Sequence, residues 1–242
     1  MKRQLIEEDG RLTRADFTEE RIAQLVRESD IPEGFIILDP ETREGSRRAL
    51  LERHPTGADL WVFAYGSLMW NPAIRHAERR SGLVHGWHRQ FCLWMPAGRG
   101  SRDNPGLMLG LDRGGACRGI AWRIVAADIE NETRILWRRE MIGDGYRPCW
   151  VRARTPAGPV PAITFTVNRE HERYVADLSE TRTVRALATA HGRLGRARDY
   201  LHNTVVHLDE LGIADGPMHR LLAMVEAYEG DGKGDSGSSG IV

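Results

Sequence analysis

The sequence predicts an α+β domain: a small mixed or barrel-like sheet with one inserted helix, followed by helices at the C-terminal end. Three observations predict it. Short β-rich apolar runs follow one another between residues 60 and 167, one amphipathic stretch of helical length interrupts them, and from Thr181 onward the periodicity is helical.

The first run, Leu60-Trp-Val-Phe-Ala-Tyr65, ends at Gly66-Ser67 and reads as a buried strand entering a tight turn. Further strands are expected over Leu83–Leu93, Gly106–Leu111 and Arg118–Val125, separated by Gly-rich or polar joints. Asp128 is placed to N-cap a helix running to about Met141, with Gly143 as its terminator. Two more strands, Arg147–Arg154 and Val160–Val167, flank the turn at Pro156-Ala-Gly-Pro159. Helical periodicity is strongest over Arg196–Leu211 and Pro217–Tyr228. Three parts are therefore expected: a helical N-terminal extension over 1–57, the main domain over 58–229, and a disordered Gly/Ser/Asp tail over 230–242. Within the extension, Thr18-Glu-Glu-Arg21 looks like a helix start and Arg47–Arg53 has helical character. Nothing there pairs chemically useful groups, so an extension packed on the main domain or at an oligomer contact is expected.

Bulk composition narrows the function classes. The 242 residues carry 34 Lys+Arg and 34 Asp+Glu, a formal charge of zero, which leaves no whole-molecule field to hold nucleic acid or a membrane surface. The basic residues are nearly all Arg, read as genomic base composition and a bacterial source. Cys92, Cys117 and Cys149 are odd in number and far apart, so neither a disulfide framework nor a Cys-based zinc site is indicated. The N-terminus turns acidic at once, and no apolar run approaches the roughly 20 residues that span a bilayer. A soluble, cytoplasmic, reduced protein is expected, and the sequence carries no signature of oligomeric state.

One carboxylate stands out. At about 100° per residue, Ile129, Thr133, Leu136 and Glu140 share the helix face that should meet the core. Burying a carboxylate is costly and tends to raise its pKa into the range useful for proton transfer. A Glu paired with an Arg, or a frayed last turn, fits the same periodicity, and both readings stand at this point. The turn Tyr65-Gly-Ser-Leu68 is the second feature, because a Gly after a strand can present N–H groups to an anion or a carbonyl oxygen. An ordinary strand-ending turn has the same sequence. His76, His85 and His88 match no zinc spacing, and no P-loop, dinucleotide-binding or G-x-S-x-G motif is present. The seven Trp residues concentrate in the sheet region and are expected in the core.

Several segments together resemble the ChaC-type γ-glutamylcyclotransferases. Val62-Phe-Ala-Tyr-Gly-Ser-Leu-Met-Trp-Asn-Pro72 resembles the family's Y-G-S-L turn followed by W-x-P. Gly82–Phe91, Gly98-Arg-Gly100 with Pro105–Leu109, and Cys117–Ala121 resemble its successive strands and flexible loop. Leu136-Trp-Arg-Arg-Glu-Met-Ile-Gly-Asp-Gly-Tyr146 resembles the family's R-E followed by G-Y, and Gly195–Leu201 its helix bearing a substrate-site Tyr. The similarity runs in order from about Asp59 to Tyr228; the stretch Trp94–Asn104 and the N-terminal extension depart from it.

The resemblance implies the fold of that family and a glutathione-cleaving lyase that releases 5-oxoproline and Cys-Gly without metal or cofactor. Glu140 would be the general acid/base, Gly66, Ser67 and Leu68 would hold the γ-glutamyl part, and Tyr65 and Tyr200 would shape the pocket and bond substrate. The family's catalytic Glu thus falls on the carboxylate that periodicity places on an apolar face. Turnover of another γ-glutamyl amine or peptide, hydrolysis to free glutamate and a non-enzymatic regulatory binding role on the same fold are the other readings of the same residues.

Overall fold

β1 (Leu60–Ala64) is buried at every residue, as a continuous apolar run flanked by two strands should be. In the computed structural model, which describes residues 13–28, 31 and 35–234, β1 lies antiparallel to β3 (Gly106–Ile124) and parallel to β5 (Gly158–Val167). β2 (Glu78–Met95) pairs with β3, and β4 (Tyr146–Thr155) with β5 and β2. The five strands close into a barrel in the order β1-β3-β2-β4-β5, which leaves its strands no free edge.

The predicted architecture is an α+β fold, with corrections of detail. The two strands expected at 106–111 and 118–125 are one, β3. Its Asp112-Arg-Gly-Gly-Ala116 looks like a turn, but the ladder with β2 resumes beyond it after a register shift between His85 and Trp87. Gly114 and Gly115 absorb the irregularity at φ 108° and 66°, a region side chains avoid.

α3 (Ile129–Glu140) is the inserted helix, entered from a 3₁₀ turn at Ala126–Asp128. Asp128 stands at the N-cap position without capping, since its own backbone is already helical (φ −100°, ψ −8°). The C-terminal end holds α4 (Glu180–Thr189), α5 (Ala197–Glu210) and α6 (Gly216–Gly234). Between α4 and α5, the region expected to be helical contains a two-stranded hairpin of β6 (His191–Gly192) and β7 (Gly195–Arg196), where Gly192 and Gly195 interrupt the helix. α6 continues through residues 230–234 of the expected tail, because extending a formed helix needs no new nucleus. Residues 235–242 lie outside the described part, as do residues 1–12 of the extension.

The described part of the extension packs on α3. α1 (Glu19–Glu28) and α2 (Pro40–Leu51) each carry ion pairs to it. Glu19 bridges Arg43 and Arg138. The almost fully buried Arg47 reaches Glu44, Glu130 and the Thr133 hydroxyl (2.7, 2.8 and 2.9 Å). Arg14 grips Glu132 through both carboxylate oxygens at 2.5 and 2.7 Å. Leu38 then donates its N–H to the Ile142 carbonyl at 2.9 Å, tying the extension to the chain just beyond Glu140. Among the described residues no helix is long and apolar enough to cross a membrane.

Candidate active site

A cavity of about 500 Å³ opens where β1, β2 and β5 end and β3 and β4 begin, within the size range of small-molecule sites. Every residue singled out as a candidate from the sequence, Tyr65, Gly66, Ser67, Leu68, Glu140 and Tyr200, lines it. A second cavity of about 430 Å³ lies away from all of them, between β2, β3 and the C-terminal helices.

Glu140 is the last residue of α3. Its side chain is 18% exposed, and that exposure faces the cavity it lines. Burial raises its pKa above that of an ordinary glutamate; the neighbouring Arg139, by its charge and hydrogen bond, opposes the rise without cancelling it. The helix face deduced from periodicity is buried at Thr133 and Leu136, with Trp137 beside them against Phe165 (ring centroids 5.1 Å apart). Of the two other readings, pairing with an arginine is present, since Arg139 lies 2.9 Å from the Glu140 carboxylate, and it coexists with exposure to the cavity.

Arg139 organises the turn opposite. Its Nε sits 2.9 Å from Glu140 Oε1, its Nη2 donates to Ser67 Oγ at 2.8 Å, and its Nη1 bonds the Asn71 carbonyl. The turn itself is a 3₁₀ element at Ser67–Met69, with Gly66 ahead of it and N–H groups of Met69, Trp70 and Asn71 closing it. The first N–H groups of such an element have no acceptor within it. That leaves the Leu68 N–H outside the turn's own bonding, while the Ser67 N–H acts on the Tyr200 hydroxyl. From outside, Trp122 Nε1 holds the Leu68 carbonyl at 3.0 Å.

Three tyrosines surround the carboxylate. Burial raises the pKa of Tyr65, Tyr146 and Tyr200, and the Glu140 charge adds to the rise in each, so all three stay protonated near neutral pH. Tyr65 donates its hydroxyl to the Phe165 carbonyl (2.8 Å) and Tyr146 donates its own to the Leu109 carbonyl (2.9 Å). A phenol whose proton is committed offers the cavity lone pairs only. The expected hydrogen bonding by Tyr65 is therefore as an acceptor. Tyr200 is fixed by Phe91, Trp70 and the Arg99 guanidinium, 5.6 Å from its ring.

Sequence reasoning missed several cavity residues. Arg139 and Tyr146 lie inside the quoted R-E and G-Y segment, and that adjacency was the available signal. Phe17 and Phe35 come from the extension, which was expected to hold nothing relevant to the site; Phe17 faces Arg139 (5.6 Å), and Phe35 lies under the Arg173 guanidinium (4.1 Å). No local pattern reports such contacts, because they arise from docking of the extension on α3. Met95 and Arg99 bring the divergent 94–104 stretch to the cavity; Gly98 there accepts the Leu194 N–H at 2.9 Å. His76 packs at a tilt against Trp122 (ring centroids 4.3 Å apart), and among the described residues no cluster of three His, Cys, Asp or Glu side chains could hold a metal ion.

The chain is similar to known proteins in sequence and in fold. A glutathione-specific γ-glutamylcyclotransferase of Escherichia coli K12 is 38% identical over 195 residues, covering 80% of this chain and 84% of that protein. The mouse glutathione-specific γ-glutamylcyclotransferase 1 is 28% identical over 147 residues, 59% of this chain and 66% of that one. The crystal structure of a yeast γ-glutamyl cyclotransferase specific to glutathione superposes with a TM-score of 0.65 at 19% identity, over 71% of this chain and 97% of its own, and so shares the fold. The family model described as ChaC-like protein matches residues 60–228, and the chain belongs to that family.

Proposed function

We propose that the protein is a glutathione-specific γ-glutamylcyclotransferase, with Glu140 as its general acid/base. The observation that carries the reading is a carboxylate of raised pKa in a small-molecule cavity, facing the Gly66–Leu68 turn in a member of this family.

In the reaction, the α-amine of the γ-glutamyl residue attacks its own γ-carbonyl carbon. The new C–N bond closes the five-membered ring of 5-oxoproline, the original amide C–N bond breaks, and Cys-Gly leaves. No water is consumed. Nucleophile and electrophile belong to one molecule, so the protein's task is to fold the substrate into an attacking geometry and to move protons. Glu140 takes one proton from the substrate ammonium, freeing the amine that attacks, and passes it to the leaving nitrogen, roles a carboxylate of raised pKa fills in turn. The second proton lost by the ring nitrogen leaves with Cys-Gly, whose amine departs as an ammonium. The lone pairs of Tyr65 and Tyr146 accept from the substrate ammonium. The Leu68 N–H and the Ser67 hydroxyl, held by Arg139, face the γ-glutamyl oxygens, carboxylate or developing oxyanion.

The test is incubation of the purified protein with glutathione in metal-free buffer, with products identified by mass spectrometry. Equimolar 5-oxoproline and Cys-Gly, both abolished by Glu140→Gln, are expected. Free glutamate in place of 5-oxoproline would make the enzyme a hydrolase. No turnover of glutathione or of other γ-glutamyl amines by folded protein would leave a binding role.

A further inference from the structure

Arg173 lies in the cavity wall on the segment after β5. Its Nη1 donates to the Trp94 carbonyl at 3.2 Å and approaches Met95 Sδ at 3.7 Å, and its guanidinium stacks over Phe35 at 4.1 Å. Two glycines make room for it. A Cβ on Gly145 would stand 3.0 Å from Arg173 Nη2 and 2.9 Å from Leu93 Cδ2, and one on Gly143 would stand 3.7 Å from the same nitrogen. The guanidinium is thus held flat between Phe35 on one side and side-chain-free backbone on the other.

What this arginine lacks is an anion. Other arginines on and around α3 are paired: Arg14 with Glu132, Arg47 with Glu44 and Glu130, Arg139 with Glu140. Among the described residues no carboxylate lies within ion-pair distance of Arg173, and its Nε is buried without a hydrogen-bond partner. Burial depresses its pKa, with Tyr146, Asp144 and Glu172 opposing from further away. A cation taken out of water and left unpaired in a ligand cavity is costly unless the ligand brings the counter-charge.

We propose that Arg173 binds the carboxylate of the leaving part of the substrate, the C-terminal carboxylate of a γ-glutamyl peptide, and so sets the enzyme's preference for peptides over γ-glutamyl amines. The inference rests on the function proposed above. Of the two carboxylates in such a peptide, the glutamyl one must stay with the amine and γ-carbonyl near Glu140. The cavity cation paired with Glu140 is Arg139, at 2.9 Å, whereas Arg173 is held by the Trp94 carbonyl and Phe35 and has no ion pair with Glu140. Arg173 and Phe35 accordingly serve the far end of the ligand, and Phe35 gives the N-terminal extension a part in substrate choice. A guanidinium suits this task because its fork binds a carboxylate through two parallel bonds.

The test compares glutathione with glutathione amidated at its glycine carboxylate, following 5-oxoproline release by wild type, Arg173→Met and Arg173→Lys. Wild type should favour the free acid by about 10- to 100-fold in kcat/KM, the range expected for one charge-assisted contact. Arg173→Met should raise KM for glutathione by a similar factor, leave kcat nearly unchanged, and treat acid and amide alike. Arg173→Lys should fall between. Equal use of acid and amide by wild type would overturn the inference even if the methionine variant failed to fold, as would a variant that still discriminates fully. Absence of 5-oxoproline from either substrate with wild type would instead overturn the proposed function, and this inference with it.

Discussion

Arg139 Nε lies 2.9 Å from Glu140 Oε1, so the cavity carboxylate and the cation that moderates it are consecutive residues at the end of α3. Consecutive helical residues normally diverge by about 100°. The two meet because the helix stops there and because Arg139 is drawn across to Ser67 and Asn71. One guanidinium thereby both moderates the Glu140 carboxylate and holds the Ser67 hydroxyl and the Asn71 carbonyl of the turn.

Arg139→Met should separate these roles from the effect of burial. Without the opposing cation, the Glu140 pKa rises further, so the acidic limb of the kcat/KM–pH profile moves to higher pH. Loss of the contacts to Ser67 and Asn71 should lower kcat/KM at the plateau by about 10- to 100-fold. Arg139→Lys keeps the charge without the fork, so its limb should stay near that of wild type while its plateau falls. An unmoved limb in the methionine variant would show that Arg139 does not set the Glu140 charge.

Glu140→Gln tests the carboxylate in two ways. Turnover should fall by about 10²- to 10⁴-fold, the usual worth of a general acid/base. Stability should move the other way. Burial holds the folded-state pKa of Glu140 above 4.5, its ordinary value, so the folded state binds this proton more tightly than the unfolded chain. Ionising it above pH 4.5 therefore lowers stability. The glutamine variant should melt at an equal or higher temperature at pH 7.5, and the difference should shrink as the pH falls towards 4.5. A clearly lower melting temperature at pH 7.5 would mean that the ion pair with Arg139 outweighs burial.

The part of the site that was legible in the sequence is the part made of local patterns. Helix periodicity put Glu140 on the face that holds Leu136, and a Gly after a β-rich run marked the turn at Gly66, because both signals reside in residues close along the chain. The barrel could be anticipated only as a mixed or barrel-like sheet, since closure depends on β1 meeting β5 about 100 residues later. Gly114-Gly115 looked like a break because the glycine that ends one strand also accommodates an irregularity in a continuous one. Phe35, Arg173 and Arg99 reach the cavity from three distant segments, so their convergence is tertiary and leaves no spacing to detect.

Gly66 and Tyr200 should behave as one unit. A Cβ on Gly66 would stand 3.1 Å from the Tyr200 hydroxyl and 3.5 Å from Leu109 Cδ2, so Gly66→Ala must push the ring or the turn by a few tenths of an ångström. Tyr200→Phe removes the oxygen that meets the Ser67 N–H and relieves the same crowding. Each single change should lower kcat/KM by about 10-fold, a loss typical of displaced catalytic donors and contacts. The double variant should lose clearly less than the product of the two, a coupling expected of residues in contact. Multiplicative losses would place the Gly66 effect elsewhere in the turn.

Arg14→Met should test whether the extension is integral to the fold. Glu132 is fully enclosed, and burial alone would raise its pKa. Bonds from Arg14, from the Arg75 N–H at 2.8 Å and from Asn131 outweigh that and hold it below an ordinary glutamate. Its stabilising contribution is therefore present above the unfolded value of 4.5 and is lost as pH falls through the depressed folded value. Removing Arg14 strands a buried carboxylate. The cost should be about 2–3 kcal/mol in urea unfolding at pH 7.5, below that of a fully enclosed pair because Arg14 is itself one-third exposed. Glu132→Gln in the same background should recover part of it by removing the stranded charge. KM should rise in Arg14→Met as well, because the neighbouring Phe17 faces Arg139 across the cavity. A loss under about 0.5 kcal/mol, the scale of ordinary surface substitutions, with KM unchanged, would mean that the extension merely rests on the barrel.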